Sequence, residues 1–122
     1  MTYKTYTDIE QSKKLAEILP TESADMEYIL EHWIDEKTYR HKEKYYEIPV
    51  VKVDDDCGEF QPITHPCWSL SALLNVLPSA TLDTSDDHHS MVHCMERFTE
   101  WYDSPIDACY KMILKLNELK LL

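Results

Sequence analysis

The sequence predicts an α+β fold: three helices packed on a small, mainly antiparallel sheet, in the order helix, strands, helix, strands, helix. Three observations lead to it. First, LAEILPTESAD at 15–25 returns as LLNVLPSATLD at 73–83, so an apolar helical run is halted by Leu-Pro twice. Proline has no N–H to donate and crowds the preceding turn, so each helix stops there and the chain beyond it is expected to be extended. If the two copies are equivalent units, their backbones follow one path through and past Pro20 and Pro78. Second, 42–53 is rich in β-prone residues: Tyr45, Tyr46, Ile48, Val50, Val51 and Val53. Third, SPID at 104–107 is a clean helix start. Ser104 is placed as N-cap, Pro105 in the first helical position, and Asp107 near the positive end of the helix dipole.

Taken in order, TDIE at 7–10 has the form of a capping box, with Thr7 as N-cap, and opens a helix expected over 8–19. Ile9, Leu15, Ile18 and Leu19 form its apolar stripe, and Pro20 ends it. Over 23–34, Met26, Tyr28 and Leu30 alternate as in a strand, while Met26, Ile29, Leu30 and Trp33 also fit a helical spacing. Strand is adopted because a β-rich segment follows. Pro49 marks that segment as an edge or a bulge. DDDCG at 54–58 reads as a turn and 59–66 as an exposed connection. The second helix is expected to start near 66–69, with Pro66 in its first turn, and to run to Leu77. Trp68, Leu70, Leu73, Leu74 and Leu77 cover much of its circumference, which makes it central to the core. Residues 79–89 read as a polar loop, and 91–102 as one or two strands carrying Val92, Cys94, Phe98 and Trp101. The last helix repeats apolar residues at Ile106, Cys109, Ile113 and Leu116.

At 122 residues the chain is expected to be a single domain, 1–122. It has one glycine, Gly58, so turns that need positive φ are expected to fall to Asn, Asp or that residue. A glycine-rich phosphate loop is excluded. The net charge of −11 argues against binding to a phosphate backbone. Residues 15–36 hold seven acids and no Lys or Arg, and Lys37, Arg40, Lys42 and Lys44 follow among Tyr39, Tyr45 and Tyr46. That basic cluster has the look of a nucleic-acid patch, but a hairpin of 26–34 with 39–51 sets these bases against the acids. No apolar leader or long apolar run is visible, so a cytoplasmic setting is expected, with no membrane association. Cys57, Cys67, Cys94 and Cys109 show no C-x-x-C spacing and are expected to be free thiols.

The densest group of potential metal ligands is Asp86, Asp87, His88 and His89, followed by His93 and Cys94. There is no H-E-x-x-H, and no Cys or His pair at zinc-finger spacing. A solvated loop is the plainer reading, so His88, His89, His93 and Cys94 are expected to be unmetallated and no cofactor is expected. His65 and Cys67 place an imidazole near a thiol at the expected helix start, where a thiolate could be favoured. Cys67 beside Trp68 more simply reads as a packed residue. The acids at 54–56 lack the spacing of a calcium loop.

Three phrases carry a resemblance: EQSKKLAEILP at 10–20 with ESADM at 22–26, PCWSLSALLNVLP at 66–78, and PIDAC at 105–109. Together they resemble a group of small uncharacterised acidic proteins of gut Bacteroidetes genomes and their phages or mobile elements. The resemblance covers most of the chain and implies a mobile-element setting. It brings no activity, cofactor or catalytic residue.

The function expected from these features is a non-enzymatic module that binds another macromolecule, a protein above all. Three Trp and eight Tyr suit an interface, and Glu22, Asp25, Glu27 and Glu31 are the candidate partner-binding residues. One alternative is an acidic mimic of nucleic acid that occupies a host DNA-binding protein. A contrasting alternative is a small metal-dependent enzyme built on 86–94. Direct nucleic-acid binding is not expected.

Overall fold

A computed structural model describes residues 4–52, 63–85, 87 and 89–122, and there three helices alternate with two small antiparallel sheets. The α+β class and the element order are as the sequence predicts. The expected turn at 54–58, with Cys57 and Gly58, most of the connection after it, and Asp86 and His88 lie outside the described residues.

Helix α1 (Ile9–Ala16) is capped one residue later than expected. Asp8 accepts from the Gln11 amide at 2.8 Å, and Gln11 accepts from the Asp8 amide at 3.2 Å, completing the box that Thr7 and Glu10 were expected to form. Thr7 is diverted because it is fully buried, and its hydroxyl accepts from the Trp68 amide at 3.1 Å and lies 2.7 Å from Ser12 Oγ. Tyr28 Oη donates to the Thr7 carbonyl at 2.7 Å. This knot ties the chain before α1 to strands far along the sequence.

Strand β1 (Met26–Ile34) has the span expected and is the hub of the first sheet. Strand β2 (His41–Tyr45) pairs with it from Ile34↔His41 to Leu30↔Tyr45, and β3 (Val50–Val51) continues at Glu27↔Val50 and Met26↔Val51. Between Leu30↔Tyr45 and Glu27↔Val50, β1 steps three residues (30 to 27) and its partner five (45 to 50). Two extra residues are thus accommodated around the buried Pro49, the bulge that proline marked. Strand β4 (Thr64–Cys67) pairs with β1 where the sequence predicts an exposed connection and a helix start. Pro66 sits in this strand, not in a helix. It is tolerated because the Ile63 carbonyl bonds the Leu30 amide, which turns the backbone groups of Pro66, three residues on, away from β1.

Helix α2 (Leu70–Val76) therefore starts later than expected, with Ser69 as N-cap. Asp25 accepts from both the amide and the hydroxyl of Ser69, holding the cap in place. Strand β5 (Thr81–Thr84) lies where a polar loop is expected, and pairs with β6 (Ser90–Cys94). A two-residue turn, Met95–Glu96, leads to β7 (Arg97–Phe98). Helix α3 (Pro105–Glu118) starts as expected, with Ser104 accepting from the Asp107 amide.

The two Leu-Pro copies share their packing but not their path. Leu15 and Leu73 are fully buried, and Leu19 and Leu77 donate back to them at 2.7 and 3.3 Å. Beyond Pro20 the chain makes a 3-10 turn, Thr21–Ser23, and reaches β1 only at Met26. Beyond Pro78 it turns at Ser79, with φ of 50°, and enters β5 at Thr81. The expected backbone equivalence fails: at the first exit Trp68 Nε1 donates to Ser23 Oγ, whereas at the second the Cys94 thiol donates to the Pro78 carbonyl, so the two exits are held by different partners. Among the described residues, positive φ falls to Tyr39, Ser79, Met95, Glu96 and Lys120, and not to Asn or Asp; the turn at 54–58, with Gly58, lies outside them. At Lys120 the reason is visible: its amide bonds Asn117 O and that of Leu121 bonds Leu116 O, a Schellman motif closing α3.

The core joins all three helices to β6: Leu15, Trp68, Leu73, Val92, Ile106, Met112, Ile113 and Leu116 are fully buried. Each large apolar side chain so placed contributes about 1.5–3 kcal/mol. A polar clasp closes this core. Asp107 accepts from Lys4 at 2.9 Å and Gln11 at 2.8 Å, joining the start of α3 to α1. Burial pushes the Asp107 carboxyl up, but hydrogen bonds from Lys4, Gln11 and Ser104 outweigh it and hold it below the usual range. No described helix is long and apolar enough to cross a membrane.

Candidate functional site

The first sheet leaves the core partway along β1. Tyr28 is buried, Leu30 is half-buried, and from His32 to Lys44 no residue is buried. The β1–β2 hairpin therefore projects, with Trp33 40%, Ile34 66% and Tyr39 85% exposed. Alternation gives it two faces. The outer row of β1 is Glu27, Ile29, Glu31 and Trp33. Glu27 stands opposite Val50, Glu31 opposite Lys44, and Trp33 opposite Lys42. The hairpin reading holds in part: Lys44 stands opposite Glu31, but Lys42 faces Trp33, and Lys37 and Arg40 lie between the strands.

The candidate partner-binding acids sit on different elements. Glu22 is exposed on the 3-10 turn, and Glu27 and Glu31 share the outer row. Asp25 is occupied with Ser69.

The inner row, Tyr28, Leu30, His32 and Ile34, looks toward α1. A cleft of about 610 Å³ opens there, lined by Tyr6, Ile9, Tyr28, Leu30, Tyr45 and Glu43 among others. At its end lies a group the sequence reading missed. His32 stands opposite Glu43, and His41, two residues before Glu43, falls on the same face. His32 Nδ1 is 3.4 Å from His41 Nε2, and each is 3.6 Å from Glu43 Oε2. The signal is H-x-E at 41–43 facing a histidine in the preceding strand, which becomes visible only once the register is known.

Among the described residues, those singled out by density, His89, His93 and Cys94, do not converge. Cys94 points inward and its thiol donates to the Pro78 carbonyl at 3.1 Å. His93 points outward and stacks on Phe98 at 4.2 Å. His89 lies at the surface, 3.5 Å from Asp103. Among the described residues, His32, His41 and Glu43 are the one group whose ligand atoms come together. Cys67 is also not an activated nucleophile. It is fully buried in a strand, its sulfur lies 3.4 Å from the Thr7 carbonyl, and burial pushes its thiol up. Burial likewise raises Cys94, and pushes Cys109 up to about 12. All three thiols are free.

No family model, curated protein or solved structure matches the chain.

Proposed function

We propose that the chain is a protein-interaction module that presents its β1–β2 hairpin to a partner with a basic surface. The observation that carries this reading is the projecting hairpin, where Trp33, Ile34 and Tyr39 are exposed beyond the core on an acidic chain of net charge −11. Exposed aromatic side chains supply contact area at small entropic cost, and the surrounding charge raises the association rate.

The test is capture at the hairpin. A photo-crosslinking residue replaces Tyr39, and partners are recovered from host lysate at low and raised salt. A specific partner associates more slowly as salt rises, and Glu22→Lys with Glu27→Lys reproduces the slowing. Glu27 is preferred to Glu31 for reversal because Glu31 faces Lys44, and a lysine there would oppose another lysine across the strands. Crosslinks scattered over the surface, or association rates indifferent to both salt and reversal, would refute the reading.

A further inference from the structure

The geometry points to a divalent transition-metal site on the inner face of the hairpin, with His32 Nδ1, His41 Nε2 and Glu43 Oε2 as ligands and zinc as the ion it fits best. This goes beyond partner binding and does not depend on it.

Strand pairing builds the site. His32 and Glu43 are directly opposed in β1 and β2, and His41 is diagonal to His32 on the same face. Such neighbours on one face of an antiparallel pair lie close enough for long side chains to meet. The donor atoms form a nearly equilateral triangle with edges of 3.4, 3.6 and 3.6 Å. A circle through three points so spaced has a radius of about 2.0 Å. An ion at or just above its centre is therefore at the usual zinc–imidazole and zinc–carboxylate bond lengths, roughly 2.0–2.2 Å. Tetrahedral coordination at these lengths separates ligands by about 3.3–3.6 Å, whereas square-planar copper at about 2.0 Å wants neighbours near 2.8 Å. The triangle is the wider one. Two imidazoles and one carboxylate leave at least one position for water, the ligand count of an open zinc site.

The residue types also fit. Imidazole nitrogen and carboxylate oxygen suit zinc, and the single carboxylate offsets half of the ion's charge. The three side chains are exposed and contribute nothing to the core, so a variant lacking them keeps its fold. Glu43 also lines the cleft, so a bound ion sits at the cleft's end.

The experiment uses the full chain stripped with chelator and titrated with zinc alone, followed by calorimetry and by the two-dimensional NMR signals of the histidine rings. The expected result is one equivalent bound, with the rings of His32 and His41 shifted and those of His89 and His93 unmoved. Cobalt substituted for zinc gives the visible absorption of a four- or five-coordinate ion. His32→Ala, His41→Ala or Glu43→Gln each weakens binding at least as much as the loss of an outer-shell partner does, about 10–100-fold. His89→Ala with His93→Ala leaves it unchanged. Circular dichroism of each variant confirms that the fold is intact. The proposal is overturned if no stoichiometric binding is seen, if it survives in the His32→Ala, His41→Ala double variant, or if the shifted rings are those of the second sheet. In each case the three side chains form only a hydrogen-bonded group.

Discussion

Strands β6 and β1 are each the middle of a sheet, yet they do opposite things. Ser90, Val92 and Cys94 of β6 are buried in turn, with Met91 and His93 half-buried between them, and the whole strand lies against the core under α3. Only Tyr28 of β1 is buried, and its last three residues, His32, Trp33 and Ile34, are exposed. One strand is shaped by packing from end to end. The other is packed at its start and is then held only by its neighbours in the sheet, which frees its far end to display side chains. Stability should therefore reside with α2, α3, β6 and the Thr7 knot, and recognition with the hairpin.

The hardest blow to the packed side is Trp68→Ala. This side chain is fully buried and its Nε1 donates to Ser23 at 2.9 Å. Loss of such a residue costs about 3–5 kcal/mol, a large share of the 5–15 kcal/mol typical of a domain. Denaturant unfolding should show the midpoint falling accordingly. A variant with unchanged stability would mean that the core is not where burial puts it.

Next comes the Thr7 knot. Thr7→Val keeps the shape but leaves the buried Trp68 amide without its acceptor, at a cost of about 1–3 kcal/mol. Thr7→Ser, which retains the hydroxyl, should recover most of the loss in the same unfolding measurement.

The knot also shows where sequence reasoning reaches its limit. Thr7 and Glu10 match the capping box locally, but whether a hydroxyl caps its own helix or bonds Trp68 depends on a partner sixty-one residues away. Ser104, Pro105 and Asp107 have no such competitor, and α3 starts where expected. Strand β1 was legible through the β-rich segment that follows it, since its own pattern also fits a helix, whereas β4 and β5 have four residues each, too few for a period to show. Pro66 further disguised β4, since proline reads as a loop or a helix start unless the chain is known to lie on a sheet edge. The two groups of potential ligands differ for a physical reason. His93 and Cys94 are adjacent and so point to opposite faces of β6, with His89 outside that strand, while His32, His41 and Glu43 are separated in sequence and joined by register.

A third test concerns acid. Asp107 is held below its ordinary range by Lys4, Gln11 and Ser104 despite its burial. A carboxyl lowered in the folded state adds stability above its unfolded pKa of about 3.9, and loses it as pH falls through the folded value. Unfolding followed below about pH 4 should steepen for this reason, and Asp107→Asn should flatten that part of the profile. A smaller effect, of opposite sign, is expected at Lys120, where φ is 58° at the end of α3. Lys120→Gly removes a side-chain penalty at that position and should stabilise the chain by about 0.5–1 kcal/mol, against the extra freedom it gives the unfolded state.

The smallest effect on stability should come from the hairpin, and it sharpens the comparison most. Trp33 and Tyr39 are large aromatic side chains, and in a core their loss would cost several kcal/mol. Here they are 40% and 85% exposed, and the residues around them are exposed as well. Trp33→Ser and Tyr39→Ser should each change unfolding free energy by no more than about 0.5 kcal/mol, the range of ordinary surface substitutions. Tyr39 carries positive φ, so Tyr39→Asn should be neutral or slightly stabilising, because asparagine tolerates that region better. With the crosslinking residue in place of Tyr39, Trp33→Ser should abolish capture of a partner at the hairpin. Stability retained together with capture lost would separate the two roles in one set of variants. If instead Trp33→Ser destabilised the chain as Trp68→Ala does, the hairpin would belong to the packed half, and a display role for it would have no physical basis.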